Sequence, residues 1–326
     1  MQEGKALITG ASGFIGSRLR DTLLGRGVDV VAIRRKGSPP AKTGRSVTAD
    51  YADVEGLAEV MAEEKPDVVF HVAGATKGRT YADFRRANVM PTENLLEALR
   101  RAHPGVKRFV HVSSLTSYGP SDPARPIDEA APRRPIEFYG QSKLEAEQAV
   151  EREGALPWTI VRPAGVYGPG DADYFELFRS AWRRVNVFLG NEKRWMSAIY
   201  VDDCVRGILE AATHEKTAGE GYFLADPEPI TWGAFQEHVV RAVGKRALKL
   251  NLPEALVTVA AHAGEAATRL DGKPRLFNKQ KAKMGAQEAW TCCVDKARGD
   301  FGFETEVKPA EGTRRTHEWY RREGWY

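Results

Sequence analysis

The fold is decided by the stretch Thr9-Gly10-Ala11-Ser12-Gly13-Phe14-Ile15-Gly16, in which the three glycines are spaced three residues apart. The apolar run Ala6-Leu7-Ile8 precedes it and is typical of a buried strand. Apolar residues then recur at helical spacing as far as Leu24. The order of strand, glycine turn and helix predicts the first half of a βαβ unit. The free N–H groups of the helix would face a phosphate.

Strands and helices alternate along the next part of the chain. Further apolar runs begin at Val28, Val47, Asp67, Arg108 and Trp158, and helical patterns lie between them. Because most of these runs are continuous rather than alternating, we expect a parallel sheet with helices on both faces. The predicted fold class is α/β, a Rossmann-type doubly wound parallel sheet with a smaller, mostly helical C-terminal substrate lobe.

The alternation ends after Pro163, where 165–171 has the composition of a loop. We therefore expect a dinucleotide-binding domain over 1–163, to which 201–225 returns as one more helix and strand. A substrate-binding lobe would comprise 164–200 and 226–326. Small residues near 252–270 predict a helix within that lobe.

Composition limits the classes of partner. The chain has 326 residues, and its 48 lysines and arginines nearly balance 44 aspartates and glutamates, which gives a net charge of +4. That charge is too small to indicate nucleic acid, and the three cysteines lack the spacing of a metal site. No apolar run approaches the ~20 residues of a membrane span. We expect a cytoplasmic protein that binds a small-molecule substrate, without nucleic acid, membrane or metal.

The end of the second predicted strand indicates which dinucleotide would bind. An NAD site usually has an acidic residue there for the ribose hydroxyls, whereas this chain has Ile33-Arg34-Arg35-Lys36. Cations at this position favour a 2′-phosphate, so NADP is the preferred cofactor and NAD the alternative. A solvated basic loop is the other interpretation of the run.

Tyr139 and Lys143 lie four residues apart at the start of a predicted helix, so both side chains occupy one face. No other tyrosine of the chain has a lysine four positions later. Moving a tyrosine pKa from about 10 to about 7 requires about 4 kcal/mol, which an exposed ion pair does not supply. The pair would therefore act only in a site shielded from water. Ser114 follows the fifth strand, where a hydroxyl could donate to a carbonyl oxygen; a self-capping loop is the alternative for Ser113 and Ser117.

Together these segments resemble the extended short-chain dehydrogenase/reductase family, in its NAD-dependent epimerase/dehydratase branch. The similarity covers nearly the whole chain. Its segments are TGASGFIG from Thr9, HVAG from His71, NVMPTENLLEAL from Asn88, VSSLTSYG from Val112, YGQSK from Tyr139, VRPAGVYGPG from Val161 and YVDDCVRGILEA from Tyr200.

The resemblance implies a role for each catalytic candidate. Tyr139 would be the acid/base, Lys143 would lower its pKa and bind the nicotinamide ribose, and Ser114 would polarise the substrate. Asp50 would contact the adenine, and a homodimer would form through helices near 81–102 and 138–152. The predicted cofactor-binding residues, from the glycine loop and the resemblance together, are Gly10, Ser12, Gly13, Phe14, Ile15, Gly16, Arg34, Arg35, Asp50, Tyr51, Ala73, Gly74, Asn88, Tyr139, Lys143 and Pro163.

Two departures from the family pattern narrow the predicted reaction. Leu115-Thr116 stands where 4,6-dehydratases have an Asp-Glu pair, and Arg34 stands where nucleotide-sugar epimerases usually have an aspartate. The C-terminal third also resembles the reductase-type branch. We therefore predict an NAD(P)-dependent oxidoreductase that transfers a hydride between the nicotinamide and a carbonyl or secondary alcohol. A nucleotide-sugar epimerase with tightly bound NAD and a non-enzymatic cofactor-sensing or scaffold protein remain alternatives.

Overall fold

A computed structural model describes residues 4–35, 37, 43–189, 191–252 and 279–326. Lys36 and the helix expected after Leu252 lie outside these residues. The strands are β1 (Lys5–Thr9), β2 (Asp29–Arg34), β3 (Arg45–Thr48), β4 (Val68–His71), β5 (Arg108–Val112), β6 (Trp158–Pro163), β7 (Gly165–Tyr167), β8 (Val185–Leu189), β9 (Trp195–Met196), β10 (Ala198–Tyr200), β11 (Glu220–Leu224), β12 (Ile230–Thr231), β13 (Leu248–Leu252) and β14 (Ala289–Trp290). The helices are α1 (Phe14–Gly25), α2 (Val54–Glu64), α3 (Tyr81–Phe84), α4 (Met90–Ala102), α5 (Phe138–Glu151), α6 (Phe175–Trp182), α7 (Val201–Thr213), α8 (Trp232–Val243), α9 (Lys279–Gly285), α10 (Asp295–Phe301) and α11 (Pro309–Arg322).

The central sheet contains seven parallel strands in the order β11-β6-β5-β4-β1-β2-β3. This confirms the predicted doubly wound α/β fold. The strand order reverses at β1, which pairs with β2 on one side and β4 on the other. In such sheets the ligand crevice opens at the carboxyl ends of the strands beside the reversal. Gly10 and the segment after His71 therefore meet at the crevice.

Two apolar layers hold the helices on the sheet. On one face Leu57, Leu95 and Val150 of α2, α4 and α5 pack with Leu7 and other strand residues. On the opposite face α1 and α7 pack against the residues that alternate with that set. Each fully buried leucine or valine contributes about 1.5–3 kcal/mol. The continuous apolar runs of the strands follow from this burial on both faces.

The helix expected over 81–102 is interrupted once. It consists of α3, a π-helical turn at Arg85–Val89, and α4. Pro91 lies in the first turn of α4, where a residue without an N–H group loses no intrahelical bond. The π-helical turn therefore ends directly before the turn of α4 that contains the proline.

The described residues of the C-terminal part form three short sheets in addition to helices. They pair β10 with β7, β8 with β13, and β9 with both β12 and β14. Tyr167, Phe178, Phe235 and Tyr320 are fully buried in its aromatic core. The sequence analysis predicted none of these strands. Five of them have only two or three residues, which is too short to show an alternating pattern, whereas β8 and β13 have five residues each. The division into two domains stays a prediction, although β11 joins the central sheet.

No helix within the described ranges is both long enough and apolar enough to cross a bilayer.

Candidate active site

Two glycines of the loop, Gly10 and Gly16, leave no room for a Cβ atom. A Cβ atom on Gly10, whose φ is +73°, would lie 2.7 Å from the backbone nitrogen of Ala73. A Cβ atom on Gly16 would lie 2.1 Å from the carbonyl oxygen of Gly10. The N–H of Gly13 donates to that same oxygen at 2.9 Å, and Gly13 forms the N-cap of α1. The loop therefore brings the helix N-terminus, with its unpaired N–H groups, against the end of β4.

A cleft of about 830 Å³ opens at this loop. That volume is within the range of small-molecule and cofactor sites. Most of the predicted residues line it, namely Gly10, Ser12, Gly13, Phe14, Ile15, Gly16, Arg34, Arg35, Asp50, Tyr51, Ala73, Gly74, Tyr139 and Lys143. The glycine loop and the helix N-terminus fit a pyrophosphate, so the residues present fit a dinucleotide.

Arginine side chains lie at the β2 end of this cleft. Arg34, at the last position of β2, is half-buried, and Arg35 is exposed. The Tyr51 hydroxyl donates to the carbonyl of Ile33 at 3.2 Å and joins the segment after β3 to this strand. Asp50 is exposed beside it. This end therefore combines two guanidinium groups with one carboxylate.

Tyr139 lies in the first turn of α5, with its hydroxyl beside Ser114. The carboxylate of Glu137 caps the helix and accepts from the N–H groups of Tyr139 and Gly140, both at 2.6 Å. Burial raises the pKa of Tyr139 to about 12, and a hydrogen bond with Ser114 opposes that rise. Ser114 also caps the short 3₁₀ turn at Leu115–Ser117. The phenol therefore keeps its proton near neutral pH, next to a second hydroxyl.

Lys143 lies one turn further along α5 and is almost fully buried. Its Nζ donates to the carbonyl of Val112 at 2.7 Å and lies 3.8 Å from where a Cβ on Gly74 would be. Burial lowers the pKa of Lys143 to about 8, and the charge of Glu147 opposes this change. The ammonium group therefore faces the cleft from the end of β5. Its expected lowering of the Tyr139 pKa stays a prediction.

Three predicted site residues lie outside the wall of the cleft. Ser114 is hydrogen-bonded to Tyr139, and Pro163 ends β6, where it pairs with Leu224 of β11. Asn88 is buried, and its side chain bonds the backbone of Ala75 and the hydroxyl of Ser142. Asn88 thus supports the wall rather than forming it.

The sequence analysis did not predict that 170–173 would line the cleft. There Lys77, after β4, pairs with Asp173 at 2.8 Å and links the two sides of the opening. Asp171 accepts from the N–H groups of Asp173 and Tyr174, and burial raises its pKa to about 6. Because Lys77 lies 96 positions from Asp173, no local sequence pattern indicates that the two residues pair.

Comparison with known proteins identifies the family. A model of the NAD dependent epimerase/dehydratase family matches residues 6–225. The chain is 31% identical over 319 residues to the 4-hydroxy-2-methyl-3-oxo-4-farnesyl-3,4-dihydroquinoline-1-oxide ketoreductase of Stigmatella aurantiaca, with 94% of each chain covered. It is 33% identical over 270 residues to the 3 beta-hydroxysteroid dehydrogenase/Delta 5-->4-isomerase of Mycobacterium tuberculosis, covering 76% of this chain and 72% of that relative.

The fold is also similar to solved structures. The UDP-glucose 4-epimerase of Thermotoga maritima, determined with UDP-glucose, superposes with a TM-score of 0.81 at 24% identity. The superposition covers 98% of this chain and 99% of the epimerase. At that identity the likeness concerns the fold alone.

Proposed function

Because the chain belongs to the NAD dependent epimerase/dehydratase family, whose members include oxidoreductases and epimerases of the extended short-chain dehydrogenase/reductase type, we propose that this enzyme is an NADP-dependent ketoreductase. The observation that carries the proposal is the hydrogen bond of Ser114 to Tyr139, whose ring lines a cleft that two arginines also line. A protonated phenol beside a hydroxyl suits a ketone oxygen, and the arginines suit a 2′-phosphate.

The bound nicotinamide supplies the hydride in such a reduction. Ser114 and Tyr139 would both donate hydrogen bonds to the ketone oxygen, which gains negative charge as the carbon is reduced. Tyr139 would then transfer its proton to that oxygen. Because its pKa is raised to about 12, the phenol is in the form that a reduction needs. Proton transfer of this kind typically contributes a rate factor of about 10²–10⁴.

Lys143 would act on the cofactor side of Tyr139. Its ammonium group is fixed by Val112 and faces Gly74, where the cofactor ribose would lie. A positive charge there would stabilise the phenolate that remains after proton transfer. The lysine therefore has both a binding and an electrostatic role in the proposal.

The substrate is proposed to be a large apolar ketone. One relative similar over most of this chain is a ketoreductase of a farnesyl-bearing quinoline oxide, and another is a hydroxysteroid dehydrogenase. Both names describe large molecules rich in hydrocarbon. A UDP-glucose 4-epimerase of Mycolicibacterium smegmatis, 33% identical over 230 residues, supports a nucleotide-sugar epimerase as the second candidate.

The remaining expectations about assembly are proposals as well. We propose a homodimer formed by the helices at 81–102 and 138–152, a separate substrate lobe, and a cytoplasmic location. Light scattering on the purified protein tests the dimer, and a mass corresponding to one chain would refute it.

Cofactor identity distinguishes the ketoreductase from the epimerase. Nucleotide extracted from the purified protein is identified first, and the emptied protein is then titrated with NADPH and NADH. We expect NADPH to bind at least about tenfold more tightly, which corresponds to about 1.4 kcal/mol. Arg34→Ala with Arg35→Ala should remove that preference without weakening NADH. Arg125→Ala, an exposed arginine away from the cleft, is the matched control.

The same preparation tests the reaction. We expect consumption of NADPH with steroidal and isoprenoid ketones. Stoichiometric bound NAD that survives purification would instead support the epimerase, and equal affinity for both nucleotides would refute the role of the arginines.

A further inference from the structure

A continuous series of buried hydrogen bonds begins under the glycine loop. The N–H of Ala73 donates to the Thr9 hydroxyl at 3.1 Å, and that hydroxyl lies 2.7 Å from Nδ1 of His71. Nε2 of His71 lies 2.9 Å from the hydroxyl of Thr92. Thr9, His71 and Thr92 have no exposed surface. Since Thr9 directly precedes Gly10, this half of the series is attached to the proposed phosphate site.

The second half reaches the helix of Tyr139. The Thr92 hydroxyl donates to the backbone carbonyl of Asn88 at 2.8 Å. The Asn88 side chain donates to the Ser142 hydroxyl at 2.8 Å and accepts from the N–H of Ala75 at 2.7 Å. The Ser142 hydroxyl in turn donates to the backbone carbonyl of Tyr139 at 2.7 Å. Thr92 therefore connects His71 to α5 through Asn88.

The hydrogens of this series have one consistent arrangement. A threonine hydroxyl has a single hydrogen. Thr92 uses its hydrogen on Asn88, so it must accept from Nε2–H of His71. In a neutral ring Nδ1 is then unprotonated and accepts from Thr9, whose oxygen accepts from Ala73. His71 is therefore the neutral Nε2–H tautomer.

Electrostatics support the neutral form. Burial lowers the pKa of His71 to about 3, and the positive charge of Lys143 lowers it further. A proton on Nδ1 would face the Thr9 hydroxyl and displace the hydrogen that now bonds the ring. Neutrality of His71 thus makes Thr9 the donor and Nδ1 the acceptor in this bond.

We propose that His71 is a positioning residue that joins the glycine loop to the helix bearing Tyr139. Its Nδ1 sets the position of Thr9 and so of the loop that would hold the cofactor phosphates. Its Nε2 sets the position of Thr92 and, through Asn88, of the first turns of α5. The inference rests on the proposed function, because this alignment matters only if Tyr139 acts beside a bound cofactor.

Two substitutions of His71 test its hydrogen bonds to Thr9 and to Thr92 separately. His71→Gln keeps an N–H group at the position of Nε2 but loses the acceptor for Thr9. We expect it to raise the Kd of NADPH about tenfold and to change kcat by less than about twofold. His71→Asn keeps an acceptor for Thr9 and no longer reaches Thr92. It should lower kcat about tenfold with little change in Kd.

A matched control lies on the neighbouring strand. His111 is fully buried and pairs in register with His71, and neither of its ring nitrogens has a hydrogen-bond partner among the described residues. His111→Gln should change neither Kd nor kcat by more than about twofold. Equal effects of His71→Gln and His71→Asn on both constants, or no effect of either, would overturn the proposal.

If the histidine variants fail to fold, threonines provide the test. Thr92 and Thr316 are both fully buried and both donate to the carbonyl four residues earlier. Only Thr92 also bonds His71. Thr92→Val should therefore lower kcat about tenfold, whereas Thr316→Val should not. Equal kcat values for the two variants would refute the link.

The ring nitrogens of His71 give a readout that needs no substrate. In ¹⁵N NMR spectra we expect an unprotonated Nδ1 and a protonated Nε2 from pH 5 to pH 8. The opposite tautomer, or titration near the ordinary pKa of about 6.5, would overturn the proposal. If the wild-type enzyme reduces no ketone, the proposed function fails, and NADPH affinity and the NMR signals still decide the role of His71.

Discussion

Replacing Gly16 by alanine tests whether the glycine loop builds the cofactor site. The new Cβ would lie 2.1 Å from the Gly10 oxygen and 2.8 Å from its carbon, whereas ordinary contacts begin at 3.4 Å. The peptide after Gly10 must therefore move by more than 1 Å. Overpacking of this kind costs about 1–3 kcal/mol. Loss of the Gly13 N–H bond to Gly10 costs about 1 kcal/mol more, and the better helix propensity of alanine returns about 1 kcal/mol.

The expected result is a free energy of unfolding lower by about 1–3 kcal/mol. Displaced loop amides should lose at least one hydrogen bond to a phosphate, worth about 1.5–3 kcal/mol, so the Kd of NADPH should rise about 10- to 100-fold. Urea unfolding and fluorescence titration measure the two effects.

A control lies in the same helix. A Cβ on Gly25 would meet nothing within 4 Å, so Gly25→Ala should stabilise the protein by about 0.5–1 kcal/mol and leave NADPH binding unchanged. NADPH affinity of Gly16→Ala within about threefold of wild type would refute the assignment of this loop to the cofactor.

Three further predictions concern protons. Tyr139→Phe should reduce ketone turnover about 10²–10⁴-fold and leave the Kd of NADPH unchanged; retained turnover would exclude Tyr139 as the acid. The pKa of Lys143 is lowered to about 8, so its ammonium charge is lost as pH rises through that value. NADPH affinity measured by fluorescence should therefore fall between pH 7 and pH 9, and Lys143→Met should remove the dependence. The pKa of His71 is lowered to about 3, so the unfolded chain binds the extra proton between about pH 3 and pH 6.5. Stability in urea should fall as pH drops, with a slope approaching about 1.4 kcal/mol per pH unit near pH 5; an equal slope in His71→Gln would contradict this.

The features predicted correctly from the sequence are mostly local. The glycine loop occupies eight consecutive residues, so its turn, its helix N-terminus and its packing are encoded together. Tyr139 and Lys143 are one helical turn apart, and the helix they predict is α5. Neither prediction required knowledge of which distant segments of the chain are in contact.

Contacts between distant segments were the ones that sequence reasoning missed. The pairing of Lys77 with Asp173 depends on the position of 170–173 in the wall of the cleft. Asn88, whose predicted contact with the cofactor stays a prediction, lies in the π-helical turn before α4 and bonds Ala75 and Ser142. A local pattern cannot predict such a placement.

His71 shows how a sequence signal gains meaning from strand register. Polar residues inside apolar parallel strands are costly unless they find hydrogen-bond partners, so Thr9 and His71 each stand out in the sequence. Their partnership follows from the ladder between β1 and β4, which places Thr9 opposite His71. The same register brings His111 opposite His71 on the other side, yet the ring nitrogens of His111 have no hydrogen-bond partner among the described residues. Two buried histidines at equivalent strand positions thus differ in their hydrogen bonds, because within the described residues His71 has a threonine hydroxyl at each ring nitrogen and His111 has none. For this fold, the positions worth testing are therefore those where a buried polar side chain in a strand meets a partner from a second element.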